Sequence, residues 1–262
     1  MADDTTPSED GPDALAGLQE DSADALWETH ADWWQDEFTD GADPEYEEQI
    51  LPLAAQLLAG HERILDLGAG EGQIARLAAG AGSTVVGVDP TWAQMAEAQA
   101  RGGGPSYAQA PASSLPFPDA AFDAVVACLV FEHIDPLEPA VAEVARVLKP
   151  GGRFAFFLNH PLLQTPGSGW VDDHIMEPPE QYWRIGEYLQ ESANVEEVRK
   201  DVFIPFVHRP LHRYMNTLAA NGLLVHEFHE PPPPPGFLDR SPWYSAAWAI
   251  PRLLVLVCER SA

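Results

Sequence analysis

Ile64-Leu65-Asp66-Leu67-Gly68-Ala69-Gly70-Glu71-Gly72-Gln73-Ile74 is the stretch that decides the fold. A short apolar strand, Arg63–Leu67, carries Asp66, runs into three glycines at alternate positions, and opens into an amphipathic helix over Gln73–Ala81. Glycine admits sharp turns and close backbone approach to a ligand. The free amides at the helix start favour a polar or anionic group. A second strand, Thr84–Val88, leads into Asp89, 23 residues after Asp66. An acid there can accept hydrogen bonds from both hydroxyls of a ribose. The spacing is Asp-x-Gly-x-Gly-x-Gly, not the GxGxxG that cradles a pyrophosphate, and Asp66 and Glu71 would repel phosphates. Both facts point to a nucleoside with a positively charged partner. The plainer alternatives are a tight turn without a ligand and, for Asp89, a cap for the helix that begins at Thr91.

Outward from this turn, strands and helices alternate. Trp92–Arg101 reads as a helix, Ser106–Gln109 and Phe122–Cys128 as strands, Pro136–Leu148 as a helix halted by Pro150 and two glycines, and Arg153–Leu158 as the next strand. This rhythm implies a mostly parallel sheet with helices on both faces. Upstream, Ala25–Phe38 and Pro44–Gly60 read as helices. After Leu158 the rhythm breaks for about fifty residues rich in aromatics, prolines and acids, too long for a passive connection. Leu211–Asn221 resumes as a helix, and Leu223–Phe228 and Leu253–Cys258 read as final strands separated by the proline run Pro231–Pro235, a stiff spacer.

The 262 residues carry 41 acidic and 14 basic side chains, a net charge of −27. Up to Glu62 there are 18 acids and no Lys or Arg; the rest nets −9. With no basic cluster, nucleic acid and anionic membrane surfaces are excluded as partners. Residues 1–20 are polar and acidic and read as a disordered leader. They lack the basic and apolar regions of a signal peptide, and no apolar run reaches the roughly 20 residues of a membrane span. These features, with Cys128 and Cys258 each inside an apolar run, point to buried thiols and a cytoplasmic protein.

The glycine turn, together with Leu115-Pro-Phe-Pro-Asp119 before Phe122–Val126, Phe131-Glu-His-Ile134 and Leu148-Lys-Pro-Gly-Gly-Arg-Phe154, resembles the S-adenosylmethionine-dependent methyltransferases of the Rossmann-like class. The likeness is to the small-molecule branch that includes ubiquinone and menaquinone biosynthesis enzymes. It covers about Leu51–Leu158, and the stretch 208–228 is similar to that branch's last helix and strand. The resemblance implies an α/β fold with a seven-stranded, mostly parallel sheet and helices on both faces. A helical cap over residues 21–60 would precede a methyltransferase domain over 61–262, with a substrate-lid insertion at about 160–210. It implies S-adenosyl-L-methionine as cofactor, held by Asp66, Gly68, Ala69, Gly70 and Gly72, with Asp89 on the ribose and Pro90 and Trp92 beside the adenine. Ala112 and Ser113 would meet the adenine edge, and Cys128 and Leu129 would lie under the sulfonium. One departure is Pro111, where the family often has an Asp that contacts the adenine amino group.

A small-molecule methyl acceptor is expected, with O-methylation favoured. A cofactor-binding partner without transferase activity and a protein methyltransferase are the rivals. Trp33, Trp34, Tyr46, Trp170, Tyr182, Trp183 and Phe206 are the candidate acceptor pocket, an aromatic excess suited to a flat molecule. His133, His160 and His208 are candidate bases, with a structural hydrogen bond as the alternative for His133. Asp172-Asp173-His174 has metal-ligand composition, but consecutive residues diverge in direction, so no metal is expected. The loop over Pro161–Gly169 is the expected closing element.

Overall fold

The computed structural model describes residues 23–175, 177–240 and 246–262; the acidic leader expected over 1–20 lies outside them. Seven strands form one sheet in the order β10-β11-β5-β4-β1-β2-β3. They are β1 Arg63–Leu67, β2 Thr84–Asp89, β3 Ser106–Gln109, β4 Phe122–Cys128, β5 Leu148–Asn159, β10 Leu223–His229 and β11 Leu253–Arg260. Strands β3, β2, β1, β4 and β5 run parallel, while β11 is antiparallel to both β5 and β10.

The period-two alternation of each strand splits the core between the two faces of the sheet. Ile64, Ala124, Val126, Ala155, Phe157, Val255 and Val257 pack on one side with α3 (Leu51–Leu58) and α4 (Gln73–Gly80). Leu65, Leu67, Val125, Ala127, Phe154, Phe156, Leu254 and Leu256 pack on the other with α6 (Leu137–Val147) and α7 (Leu211–Ala220). Each of the fully buried rings of Phe154, Phe156 and Phe157 contributes roughly 1.5–3 kcal/mol. Helix α5 (Trp92–Arg101) follows β2. Among the described residues no helix is long and apolar enough to cross a membrane.

Four segments depart from the sequence reading. The helix expected over Ala25–Phe38 is two helices, α1 Ala23–Thr29 and α2 Ala31–Phe38, broken at His30. The one expected over Pro44–Gly60 opens with a π-helical turn, Tyr46–Ile50, whose amides at Glu45 and Tyr46 are capped by Asp43 Oδ1. Such turns redirect side chains and are frequent at functional sites. The segment after β5 is not loop but two antiparallel hairpins, β6 (Gly169–Asp173) with β7 (Glu180–Arg184) and β8 (Ser192–Arg199) with β9 (Val202–His208). The proline run leads into a last short helix, α8 (Pro235–Arg240), and is anchored rather than a free spacer: Pro233 and Pro234 are buried, and Gln49 Nε2 donates to the Pro232 carbonyl at 2.7 Å.

Candidate active site

At the carboxyl edge of the sheet, β1 delivers Asp66 and the glycine turn follows. The amides of Gly68 and Ala69 both donate to the Val88 carbonyl, at 2.7 and 3.0 Å, folding the turn over the end of β2. Gly68 has φ +69°, and a Cβ there would lie 2.4 Å from Val130 Cγ2. Gly68→Ala should therefore cost about 2–3 kcal/mol, from left-handed strain plus overpacking. Urea unfolding checks this; a midpoint equal to wild type would show that Val130 yields freely. Gly72 starts α4, where a Cβ would collide with the Tyr107 hydroxyl.

Asp89 ties the two turns together. Its Oδ2 accepts the Gly70 amide at 3.0 Å, and its Oδ1 accepts the amide and hydroxyl of Thr91. The same side chain thus orders the approach to α5 and lines the adjoining cavity, while the first-turn amide of Ala93 is taken by Glu28 rather than by Asp89. Burial raises its pKa. Asp66 is 2% exposed, and its Oδ2 has no hydrogen-bond partner among the described residues. Desolvation pushes its pKa up to about 7. A buried carboxylate oxygen with nothing to accept from is costly unless a ligand supplies a donor.

These groups face a cavity of about 260 Å³. Asp66, Gly68, Ala69, Gly70, Asp89, Pro90, Ala112, Ser113, Cys128 and Leu129 all line it, and so does Pro111. Gly72 does not; its place is under Tyr107. Trp92 does not line it either: as the first residue of α5 its ring is 59% exposed. Thr91 and Gln94 line the cavity nearby instead. The Cys128 thiol is buried, which raises its pKa well above normal, so it is no nucleophile.

The wall of this cavity carries Asp24, Asp66, Glu71, Asp89 and Asp135 and, among the described residues, no Lys or Arg. Glu71 is neutralised by Arg76 and Arg101. Asp135 is paired with Arg209; Asp24, Asp66 and Asp89 remain, and when ionised they stabilise a cation and oppose a phosphate. S-adenosylmethionine, with an ammonium and a sulfonium against one carboxylate, fits both this charge and the unpartnered Asp66 oxygen.

A second cavity of about 290 Å³ adjoins the first. Trp27, Trp34, Tyr46, Leu129 and His133 line both. Of the expected acceptor-pocket residues, Trp33, Trp34, Tyr46 and Phe206 line the second cavity. Trp170, Tyr182 and Trp183 line neither cavity: Trp170 and Trp183 pair edge-on across the β6–β7 hairpin at 5.6 Å, and Tyr182 is exposed. From the loop expected to close the site, Gln164 alone reaches this wall; Trp27, Trp33, Trp34 and Phe38 of α1 and α2, with Val198, Ile204 and Phe206 of the β8–β9 hairpin, form that side instead.

The three histidines separate. The His160 Nε2 lies 2.8 Å from Glu230 Oε1, and its Nδ1 accepts the Leu162 amide. His208 donates from Nε2 to the Tyr188 carbonyl at 2.8 Å. Both are buried, committed to structural partners, and line neither cavity. His133 stands where the cavities meet, between the rings of Trp27 at 4.9 Å and Phe206 at 4.7 Å. Its Nδ1 is 2.7 Å from the Pro205 carbonyl, which can only accept, so Nδ1 carries the proton and Nε2 the lone pair. Burial lowers its pKa to about 4, so the ring is neutral near pH 7. Trp27, Asp24, Gln94 and Asp135 were missed as site residues by sequence reasoning; the acid at position 24 and the indole at 27, on one helical turn, were the available signal. Among the described residues no group of His, Cys, Asp or Glu gathers at metal-binding distance.

Residues 65–156 match the family model described as methyltransferase domain. A demethylmenaquinone methyltransferase of Thermus thermophilus is 40% identical over 119 residues, covering 43% of this chain and 53% of the relative. An O-methyltransferase of Aspergillus sclerotiorum is 33% identical over 135 residues, covering 48% and 51%. The chain thus spans about half the length of these curated relatives. The crystal structure of an S-adenosylmethionine-dependent methyltransferase from Mesorhizobium loti superposes with a TM-score of 0.71 at 26% identity, covering 84% of this chain and 99% of that one. Residues 65–156 thus match a methyltransferase domain, on the Rossmann-like fold of a solved S-adenosylmethionine-dependent methyltransferase.

Proposed function

We propose that this protein transfers a methyl group from S-adenosylmethionine to a hydroxyl of a small, flat, largely apolar acceptor seated in the second cavity. The observation that carries this reading is the shared wall: an acid-lined cavity and an aromatic-lined cavity meet at Trp27, Trp34, Tyr46, Leu129 and His133. The name of the Thermus relative supports a small-molecule acceptor, and that of the Aspergillus relative an O-methyl product. Asp66 and Asp89 hold the cofactor's charged and ribose ends. The bound cofactor supplies an electrophilic methyl group on its sulfonium. Alignment across the shared wall and exclusion of water are the protein's main contributions. His133 Nε2 takes the hydroxyl proton as the new bond forms. The ring is half-buried and neutral, and it resists protonation until the neighbouring positive charge has gone.

Incubation with methyl-labelled cofactor and a panel of catechol, 1,4-dihydroxynaphthalene, aliphatic alcohols, amines and a cell extract tests this. Labelled aryl methyl ether is the expected product. Calorimetric binding of the cofactor with no transfer to any acceptor would instead make the chain a cofactor-binding partner. Label in protein would favour the protein methyltransferase reading.

A further inference from the structure

The turn that carries His133 is held from outside by a buried cation. Arg209 is 3% exposed. Its Nη1 donates to the Phe131 carbonyl at 2.9 Å, and its Nη2 donates to the Ile134 carbonyl and to Asp135 Oδ1, the latter at 3.4 Å. These acceptors bracket His133 on both sides. A guanidinium out of water is tolerated only when its donors are matched, and here three are spent on one short segment, on two backbone carbonyls and the Asp135 carboxylate. The Pro205 carbonyl, four residues earlier in the same chain segment, fixes the imidazole itself at 2.7 Å. Both contacts come from the end of the β8–β9 insertion, which also supplies the Phe206 ring against His133.

We propose that Arg209 and the Pro205 carbonyl form a clamp that holds His133 in its Nδ1–H tautomer where the two cavities meet, so that Arg209 is a positioning residue for the proton transfer. The inference rests on the reading of His133 as proton acceptor. Arg209 acts through geometry: its planar fork reaches carbonyls on either side of the histidine at once. Lysine, a point charge on a flexible stem, cannot span them. When the segment slackens, Nδ1 draws away from the Pro205 carbonyl, and the proton is free to move to Nε2. A ring in that form presents a donor to the cavities and cannot accept the hydroxyl proton.

The test is nitrogen NMR on protein labelled with ¹⁵N-histidine and saturated with S-adenosylhomocysteine, the His133 signals being assigned by their loss in His133→Gln. In the wild type at pH 7 the proton is expected on Nδ1, with Nε2 showing the shift of a bare lone pair. Arg209→Lys is expected to lower the ratio of Nδ1–H to Nε2–H by roughly tenfold or more, about 1.4 kcal/mol. Affinity for S-adenosylhomocysteine should change by less than about threefold, because Arg209 does not line the cofactor cavity. Should Arg209→Lys fail to fold, Arg209→Gln, which keeps donors without the charge, is read the same way. A proton on Nε2 in the wild type, or an unchanged tautomer in the variant, overturns the clamp. A His133→Gln enzyme that transfers methyl at the wild-type rate would sink the proton-acceptor reading alone, leaving the tautomer result as it stands.

Discussion

Asp66→Asn binds S-adenosylmethionine about 100-fold more weakly than the wild type, yet the cofactor-free variant melts higher at pH 8. Both effects have one cause. The Asp66 carboxyl is buried with Oδ2 unpartnered, and burial lifts its pKa from 3.8 to about 7. The folded protein therefore binds this proton more tightly than the unfolded chain does. Stability from that preference is complete below about pH 4 and is lost as pH rises to 7, after which the deficit is constant. Asparagine, which stays neutral, avoids the loss. Between pH 5 and pH 8 the stability gap between variant and wild type should widen by about 2–3 kcal/mol, or roughly 4–12 °C in Tm for a chain of this size. Glu132, also raised to about 7 by burial, makes both proteins respond to pH but cancels from the gap. The affinity loss follows from the proposed pairing of this carboxylate with the ammonium of the cofactor; removing one partner of a buried charged pair costs about 2–5 kcal/mol. Thermal melts at the two pH values and calorimetric titration at pH 8 check both halves. A variant no more stable than wild type would mean that water already solvates Oδ2, and unchanged affinity would remove Asp66 from the cofactor site.

The parts of the site that the sequence exposes are those in which a local pattern and a function coincide. Asp66, Gly70 and Asp89 are legible because a short strand, a turn and a helix start fix their positions from neighbours in the chain, and all three line the cofactor cavity. Trp92 follows the same local logic and fails. Its place in sequence is right, but the first turn of a helix sends successive side chains in different directions, and solvent took this one. The second cavity was only half visible. Trp33, Trp34 and Tyr46 stood out by composition, but Trp27 enters the site through the break at His30, and Tyr46 through a π-helical turn. Neither has a distinctive residue signature. The β8–β9 hairpin hid behind Pro205, which argues against a strand in sequence yet is accommodated in a two-stranded ribbon. Its turn, Lys200-Asp201 with Asp201 at φ +63°, lacks the glycine that usually marks one. His160, by its place at the sheet edge, and His208, by its place before the last long helix, stood as candidates beside His133. Side-chain direction alone divided them, and that is set by partners 20 to 72 residues away in sequence.

His133→Gln should lower the rate of methyl transfer at saturating cofactor and acceptor by about 100-fold or more, the usual contribution of a positioned base. Cofactor affinity should stay within about twofold, since the residues that hold the charged and ribose ends are untouched. The pH dependence separates this residue from Asp66. His133 must be neutral to act, and its pKa is lowered to about 4, so the rate at saturation should be level from pH 8 to pH 5 and fall only near pH 4. Asp66 must be ionised to hold the ammonium, so the rate at low cofactor concentration should already fall as pH drops below about 7. Two limbs, about three pH units apart, belong to two residues that must both be deprotonated, the one to be neutral and the other to be charged. In His133→Gln the limb near 4 should vanish while the one near 7 persists; in Asp66→Asn the reverse should hold. A single limb common to both conditions in the wild type would mean that one group governs binding and chemistry together, and the division of labour between the two cavities would have to be abandoned.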